Sequence, residues 1–99
     1  MSESDEELAV RLNAETARIA WQELERHFAR GDLITVAPEL DLVAVGVNMI
    51  KDHKATINAW LETGELHRTS EQEAKEWSAD NSTLWAVVVA PWVLVQDKD

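Results

Sequence analysis

The sequence of 99 residues contains no cysteine and no tyrosine. Without thiols, the chain cannot form a disulfide-stabilised secreted module or a zinc site built from cysteine ligands. Glycine and proline are scarce, and no glycine-rich phosphate-binding motif occurs. The longest uncharged run, residues 82–96, is shorter than the roughly 18–20 residues that a membrane-spanning helix requires. No basic stretch precedes an apolar one near the start, so we expect no secretory signal and a cytoplasmic location.

Basic residues are also few, because nine Lys and Arg stand against nineteen Asp and Glu, which makes the formal net charge -10. This charge repels phosphate backbones, so we expect no nucleic-acid partner, and it attracts basic proteins. The chain is nevertheless 45% hydrophobic and has five tryptophans, which is enough to fill a core. We therefore predict a single acidic domain over residues 1–99, in which residues 1–7 form a flexible acidic lead.

The first third of the chain has a helical pattern. Ser4 begins a capping box and is expected to cap a helix. An apolar stripe then continues to Arg30, where Gly31 supplies the stop, and this predicts one long helix. A kink or break is expected near Asn13 and Thr16, because both residue types lower helix propensity. The stripe consists of Val10, Ala14, Ala17, Trp21, Leu24 and Phe28.

The next part of the chain combines a short strand with an ambiguous segment. Residues 33–36 are rich in β-branched residues and predict a strand. Residues 40–50 have a helical stripe, but their valines would also suit a buried strand. We favour a helix, because Glu39 and Asp41 lie at its start and Lys51 at its end, where these charges match the helix dipole.

Three weaker signals follow. Asp52 is expected to cap a further helix, which Gly64 closes. Residues 65–69 predict a short strand near a sheet edge, because they are only weakly apolar. Ser70 begins a second capping box and therefore a helix of two to three turns.

The last segment is the most apolar. Residues 84–90 are apolar at odd and even positions alike, which is typical of a strand covered on both faces, and Pro91 separates them from residues 92–96. The fold prediction is α+β, with about four helices packed on a small mixed sheet of three to four short strands and the C-terminal strand at its centre. Because this sheet is very apolar for a small monomer, we predict a homodimer formed through residues 91–96 or the long first helix.

Two of the tryptophans suggest where the protein makes contacts. Trp85 and Trp92 are seven residues apart, so in an unbroken strand they would lie on opposite faces, unless Pro91 resets the register. A tryptophan that faces outward is typical of an interface. The predicted interface therefore comprises Trp85, Trp92, Val93 and Val95, and the alternative is a strand buried on both faces in the core.

Three stretches, residues 15–24, 38–43 and 84–96, resemble a bacterial family of small acidic proteins, domain of unknown function family 2288. The segment Trp-Ala-Val-Val-Val-Ala-Pro-Trp-Val-Leu-Val-Gln is the most specific part of the resemblance. It implies a bacterial origin and a single domain. It implies no activity, cofactor or catalytic residue.

The residues themselves leave three function classes open, of which mimicry of a nucleic-acid backbone follows from charge alone and ranks last. The first is a non-catalytic protein-interaction or adaptor module with an apolar surface framed by acids. The alternative is a small enzyme or ligand-binding domain that uses Glu39, Asp41 and His53 around a Trp-lined pocket. Glu23 and His27 have the i, i+4 spacing of metal ligands, but the His-Glu-x-x-His pattern is absent. We therefore predict no catalytic, cofactor-binding or metal-binding residues.

Overall fold

The computed structural model describes residues 4–98, which form five α-helices and five β-strands. The α+β class is confirmed, with one helix and at least one strand more than predicted. The elements are α1 (Asp5–Glu15), β1 (Ala17–Ala20), α2 (Trp21–Arg30), β2 (Leu33–Val36), α3 (Leu42–Ile50), α4 (Lys54–Thr63), β3 (Leu66–Arg68), α5 (Glu71–Ala79), β4 (Thr83–Val89) and β5 (Trp92–Gln96).

The strands form one mixed sheet in the order β1-β4-β5-β2-β3, so the predicted central position of the C-terminal strand is confirmed. The β2–β5 pair is parallel and the other pairs are antiparallel. Helices α1, α3 and α4 cover one face of the sheet, called the first face here, and α2 and α5 cover the second face. The first-face core is centred on Leu8, Leu12, Val45, Val87 and Leu94, and the second-face core on Trp21, Trp77, Leu84 and Val95.

The single helix predicted to end at Arg30 is wrong, whereas the expected break near Thr16 is confirmed. Thr16 has an extended backbone, and its hydroxyl donates to the Leu12 carbonyl over 2.7 Å at the end of α1. The next four residues pair with β4, where their backbone groups complete the ladder of a very apolar strand. The apolar stripe predicted for this helix is also wrong at its start, because Val10 is 67% exposed and Leu8 is buried instead.

The predicted cap at Ser4 is confirmed, since its side chain accepts a hydrogen bond from the Glu7 amide. The helix consequently begins at Asp5, so residues 5–7 are helical and do not form a flexible lead. The acidic first turn suits the positive end of the helix dipole. The remainder of the predicted lead, residues 1–3, lies outside the described residues.

The ambiguous segment is a helix, as we favoured. Asp41 caps α3 by accepting from the amides of Val43 and Ala44. The cap predicted at Asp52 is wrong, because that residue has a positive φ of 57° and α4 begins two residues later, with His53 at its N-cap. The stop at Gly64 is confirmed by its left-handed φ of 82°.

The two signals that follow are also confirmed. β3 lies at the sheet edge next to β2, as its weak apolarity indicated. Ser70 and Glu73 form a complete capping box at the start of α5, in which each side chain bonds the other residue's backbone amide. Local side-chain chemistry therefore fixes the boundary between β3 and α5.

The predicted homodimer stays a prediction, but neither surface proposed for it has the required form. β5 is paired with β4 on one side and β2 on the other, and residues 93–96 are buried within the chain. The predicted long first helix is two helices, with α1 on the first face of the sheet and α2 on the second.

Candidate functional site

Trp85 and Trp92 lie on the same face of the sheet. Val89 pairs with Trp92 across a two-residue turn, and the same antiparallel register pairs Trp85 with Gln96. Paired residues share a face, and alternate residues return to it, so both indoles point to the first face. The turn at Pro91 therefore resets the register, and the opposite-face arrangement of an unbroken strand is wrong.

Each of these two indoles is partly buried and is covered by an arginine. The guanidinium of Arg18, on β1, lies 5.2 Å from the ring centroid of Trp85. That of Arg68, on β3, lies 5.3 Å from the ring centroid of Trp92. Both distances suit cation–π attraction, which places a charged group over the aromatic surface. Neither indole is a bare apolar surface.

Trp85 lines a cleft of about 490 Å³ at the end of the first face. The two acids predicted for a pocket, Glu39 and Asp41, also line it, as does the basic Lys98. Trp85 was predicted at an interface and the two acids in a pocket, and the structure brings all three together. This Trp85 cleft is completed by Asn13, Thr16, Leu40, Leu42, Val43 and Gln96.

A tight turn positions Glu39 at the cleft. The Leu40 amide donates to the Ala37 carbonyl over 3.1 Å, and Pro38 occupies the second turn position, which suits its fixed φ. The buried Gln96 amide donates to the carbonyls of both Ala37 and Leu40, at 2.9 and 2.7 Å. Gln96 is thus a positioning residue, because it ties the turn to β5 beside Trp85.

Asp41 lies at the cleft because it caps α3. One of its carboxylate oxygens, Oδ1, accepts from two backbone amides at 3.0 and 3.3 Å. The side chain is therefore oriented by the helix start, where the dipole favours a negative charge. Asp41 therefore both caps α3 and places a carboxylate at the Trp85 cleft.

The remaining residues of the predicted sites lie elsewhere. The His53 ring bonds the Asn48 side chain through Nδ1 over 3.0 Å and does not line the Trp85 cleft, so the three-residue pocket is not assembled. Val93 and Val95 point to the second face and are only 6% and 0% exposed. Their burial removes both valines from the predicted surface, whereas Trp85 and Trp92 keep an accessible part.

A second polar cluster, on the second face next to β3, has no counterpart in the sequence prediction. His67 Nε2 lies 2.9 Å from Glu73 Oε1, and its Nδ1 lies 2.9 Å from the Gly64 carbonyl. The same Glu73 oxygen receives the Ser70 amide and a longer contact from the Thr35 hydroxyl. The six-residue spacing of His67 and Glu73 spans a strand and a helix start, so helical or strand periodicity gives no signal for it.

The surroundings of His67 favour the charged form of its ring. Partial burial opposes its charge, but the hydrogen bond to the Gly64 carbonyl and the attraction of Glu73 outweigh burial, and its pKa is raised above 6.5. Both ring nitrogens face oxygen acceptors, which only the doubly protonated ring can satisfy. The arrangement is an ion pair within a capping box, and it leaves no ring nitrogen free to accept a proton from a substrate.

Metal ligands and membrane-spanning helices were sought in the same part of the chain. Within residues 4–98, no three His, Asp or Glu side chains lie close enough together to hold a metal ion. None of the helices described there is both long and apolar enough to cross a bilayer. Glu23 and His27, which have ligand spacing, line a shallow hollow beside α2 without a third ligand.

Comparison with known proteins places the chain among proteins without an assigned activity. The family model described as "Protein of unknown function (DUF2288)" matches residues 7–97, and the resemblance noted in the sequence is thereby confirmed. The solution NMR structure of PA1075 from Pseudomonas aeruginosa is similar, with 45% sequence identity and a TM-score of 0.80. The match covers 97% of this chain and 89% of that one. No curated protein matches.

Proposed function

Because the chain belongs to the DUF2288 family of proteins of unknown function, no activity is transferred from relatives, and we propose that it is a non-catalytic protein-interaction module. It binds a basic segment of a partner protein in the Trp85 cleft. The observation that carries this proposal is the meeting of an accessible indole, Trp85, with two carboxylates, Glu39 and Asp41, around one cavity.

Electrostatics supports a basic partner. The net charge of -10 produces a negative field that draws cations toward the surface. Glu39 and Asp41 are exposed, so they can pair with an incoming ammonium or guanidinium. Because long-range steering is screened by salt, the association rate should fall as ionic strength rises.

The indole supports an arginine in that partner. Trp85 keeps an accessible part at the cleft, and the guanidinium of Arg18 over its ring shows that this indole attracts a planar cation. An aromatic ring next to carboxylates suits a guanidinium, because the ion can stack and pair at once. Lysine would gain the charge interaction but not the planar stacking.

The test uses a short arginine-containing peptide, blocked at both ends, and a matched peptide in which lysine replaces arginine. Binding is followed through the indole N–H signals of the five tryptophans in NMR spectra. We expect the Trp85 signal to shift most, and the arginine peptide to bind more tightly than the lysine peptide. A Trp85 signal that does not move at millimolar peptide would contradict the proposal.

Matched variants separate the cleft from the overall charge. Glu39→Gln with Asp41→Asn removes two charges, and asparagine at position 41 still caps α3. We expect this double variant to weaken peptide binding at least tenfold. Glu62→Gln removes the charge of an exposed acid on α4 that does not line the cleft, and it should change binding less than twofold. Equal losses in both variants would show attraction by net charge alone.

A further inference from the structure

The outer edge of β4 is only partly paired. β1 pairs with residues 83–86, and its first residue, Ala17, lies opposite Ala86. No strand within residues 4–98 continues along this edge beside Val88. The Val93 amide of β5 donates to the Asp32 carbonyl, on the side of β2. Val88 is paired with Val93, and in an antiparallel pair the backbone groups of two opposite residues point either toward each other or both away. The backbone groups of Val88 therefore point away from β5 and toward the open edge.

The same residue is an exposed apolar side chain. Val88 is 62% exposed, although the strand residues on either side of it are buried. It stands as a ridge between two hollows of about 250 and 480 Å³. Apolar side chains that include Ile19, Leu24 and Val93 line the first hollow, and Leu12, Ile50 and Val89 line the second. We call Val88 and the two hollows the Val88 edge.

The shape of this surface is self-complementary. In a two-fold dimer, the same patch of each subunit meets its copy, so a ridge that lies beside a hollow can enter the partner's hollow while receiving the partner's ridge. An exposed ridge with unpaired backbone groups is also the feature that isolated soluble sheets usually protect with charge or coverage. At Val88, none of the described strands or helices covers the edge, although charged side chains flank it.

The charge around the Val88 edge distinguishes a second copy from a foreign basic partner. The chain as a whole has nineteen acids and nine Lys and Arg, and two such molecules repel each other. The acidic and basic side chains that line the two hollows are balanced, with Glu15 and Glu23 against Arg11 and Arg26. Across a two-fold axis, Arg26 of one copy can meet a glutamate of the other.

We therefore propose that a second copy of this chain packs against the Val88 edge, with Val88 of each copy entering a hollow of the other. The proposal is independent of the Trp85 cleft, which lies toward the opposite end of β4. Val88 is the third residue after Trp85, which is a distance of about 10 Å along the strand. A dimer of this kind would leave the cleft open on each subunit.

Sedimentation equilibrium of the whole chain tests the proposal, with Val88→Asp as the disrupting variant. Val10→Asp is the matched control, because Val10 is 67% exposed on α1 and lines neither hollow. We expect a dimer at tens of micromolar for the parent and for Val10→Asp, and at least a tenfold weaker association for Val88→Asp.

Two further measurements keep the outcome decisive. Circular dichroism establishes that Val88→Asp is folded, and if it is not, Ile50→Lys places a charge in the second hollow at the C-terminal end of α3, where a cation suits the helix dipole. A parent chain that stays monomeric at several hundred micromolar overturns the proposal. A dimer that survives substitution in a folded Val88 or Ile50 variant overturns it as well.

Discussion

The two outer strands, β1 and β3, protect the sheet very differently. Beside β3, the backbone of β2 remains bonded beyond the strand itself, since Thr69 donates to Leu33 at one end and Ala37 donates to Glu65 at the other. Beside β1, the pairing of β4 stops at Ala86. The difference shows that a three-residue strand can close an edge when flanking residues continue its ladder at both ends. The β1 ladder is continued at one end only, where the Trp21 amide donates to the Ser82 carbonyl, so β4 stays open beyond Ala86.

Side chains follow the same division. Next to β3, a charged and hydroxylated cluster joins the strand to the start of α5 through His67, Glu73, Thr35 and Thr69, and the two threonine hydroxyls lie 2.8 Å apart. Next to the open end of β4, the exposed side chain is the valine at position 88. A polar edge discourages further strand pairing, while an apolar open edge favours it.

The largest effect we predict compares two residues of β4 that point to the same face, one beside β1 and one past it. Leu84 is 0% exposed, so Leu84→Ala leaves a cavity and should lower the free energy of unfolding by about 2–5 kcal/mol. Val88→Ala, in the part of β4 that β1 does not pair with, should lower the free energy of unfolding by less than about 1 kcal/mol. Urea denaturation at low micromolar protein measures both. Similar losses would mean that Val88 is buried as deeply as Leu84.

The next effect concerns the closed edge. Glu73→Ala removes the acceptor shared by His67, the Ser70 amide and Thr35, and it should lower the free energy of unfolding by about 1–3 kcal/mol. The matched variant is Glu76→Ala, whose exposed carboxylate bonds only Gln72 among the described contacts. It should change stability by no more than about 0.5 kcal/mol. If the two variants were equally stable, the cluster would not hold this edge.

The parts of the fold that could be predicted from the sequence are those that local patterns determine. The capping box at Ser70 and the helix start at Asp41 follow from side chains that bond their own neighbours, and the strand at residues 33–36 follows from its β-branched residues, so a local pattern suffices. β1 could not be predicted in this way. Ala17–Ala20 continues a helical stripe in sequence, and it becomes a strand because β4 supplies the ladder.

The candidate site divides along the same line. Trp85, Glu39 and Asp41 could be predicted as candidate residues from the sequence, because their chemistry is visible without a fold. Their position in one cleft could not be predicted, because the hairpin register and the turn held by Gln96 are set by tertiary hydrogen bonds. The pairing of His67 with Glu73 was missed for the same reason.

The pH dependence of stability should distinguish the closed edge from the rest of the protein. Because the pKa of His67 is raised in the folded state, its ion pair stabilises the fold fully below the unfolded pKa of about 6.5. This contribution is lost as pH rises through the higher folded pKa. Urea denaturation from about pH 5.5 to about pH 8.5 should therefore show that the free energy of unfolding declines as pH rises, and that His67→Gln lacks this decline. The same pH dependence in both proteins would contradict the ion pair.

The smallest effect concerns the two arginines that cover indoles, one at each edge. Arg18→Gln and Arg68→Gln each remove an exposed cation–π contact, so each should lower the free energy of unfolding by about 0.5–1 kcal/mol. Fluorescence quenching by acrylamide gives a more direct measurement. Arg18→Gln uncovers Trp85 and Arg68→Gln uncovers Trp92, so a single tryptophan should become more accessible in each variant. Combining Arg18→Gln with Trp92→Phe, and Arg68→Gln with Trp85→Phe, assigns the change to one indole. Quenching that stayed at the parental level in both arginine variants would show that neither guanidinium shields its ring.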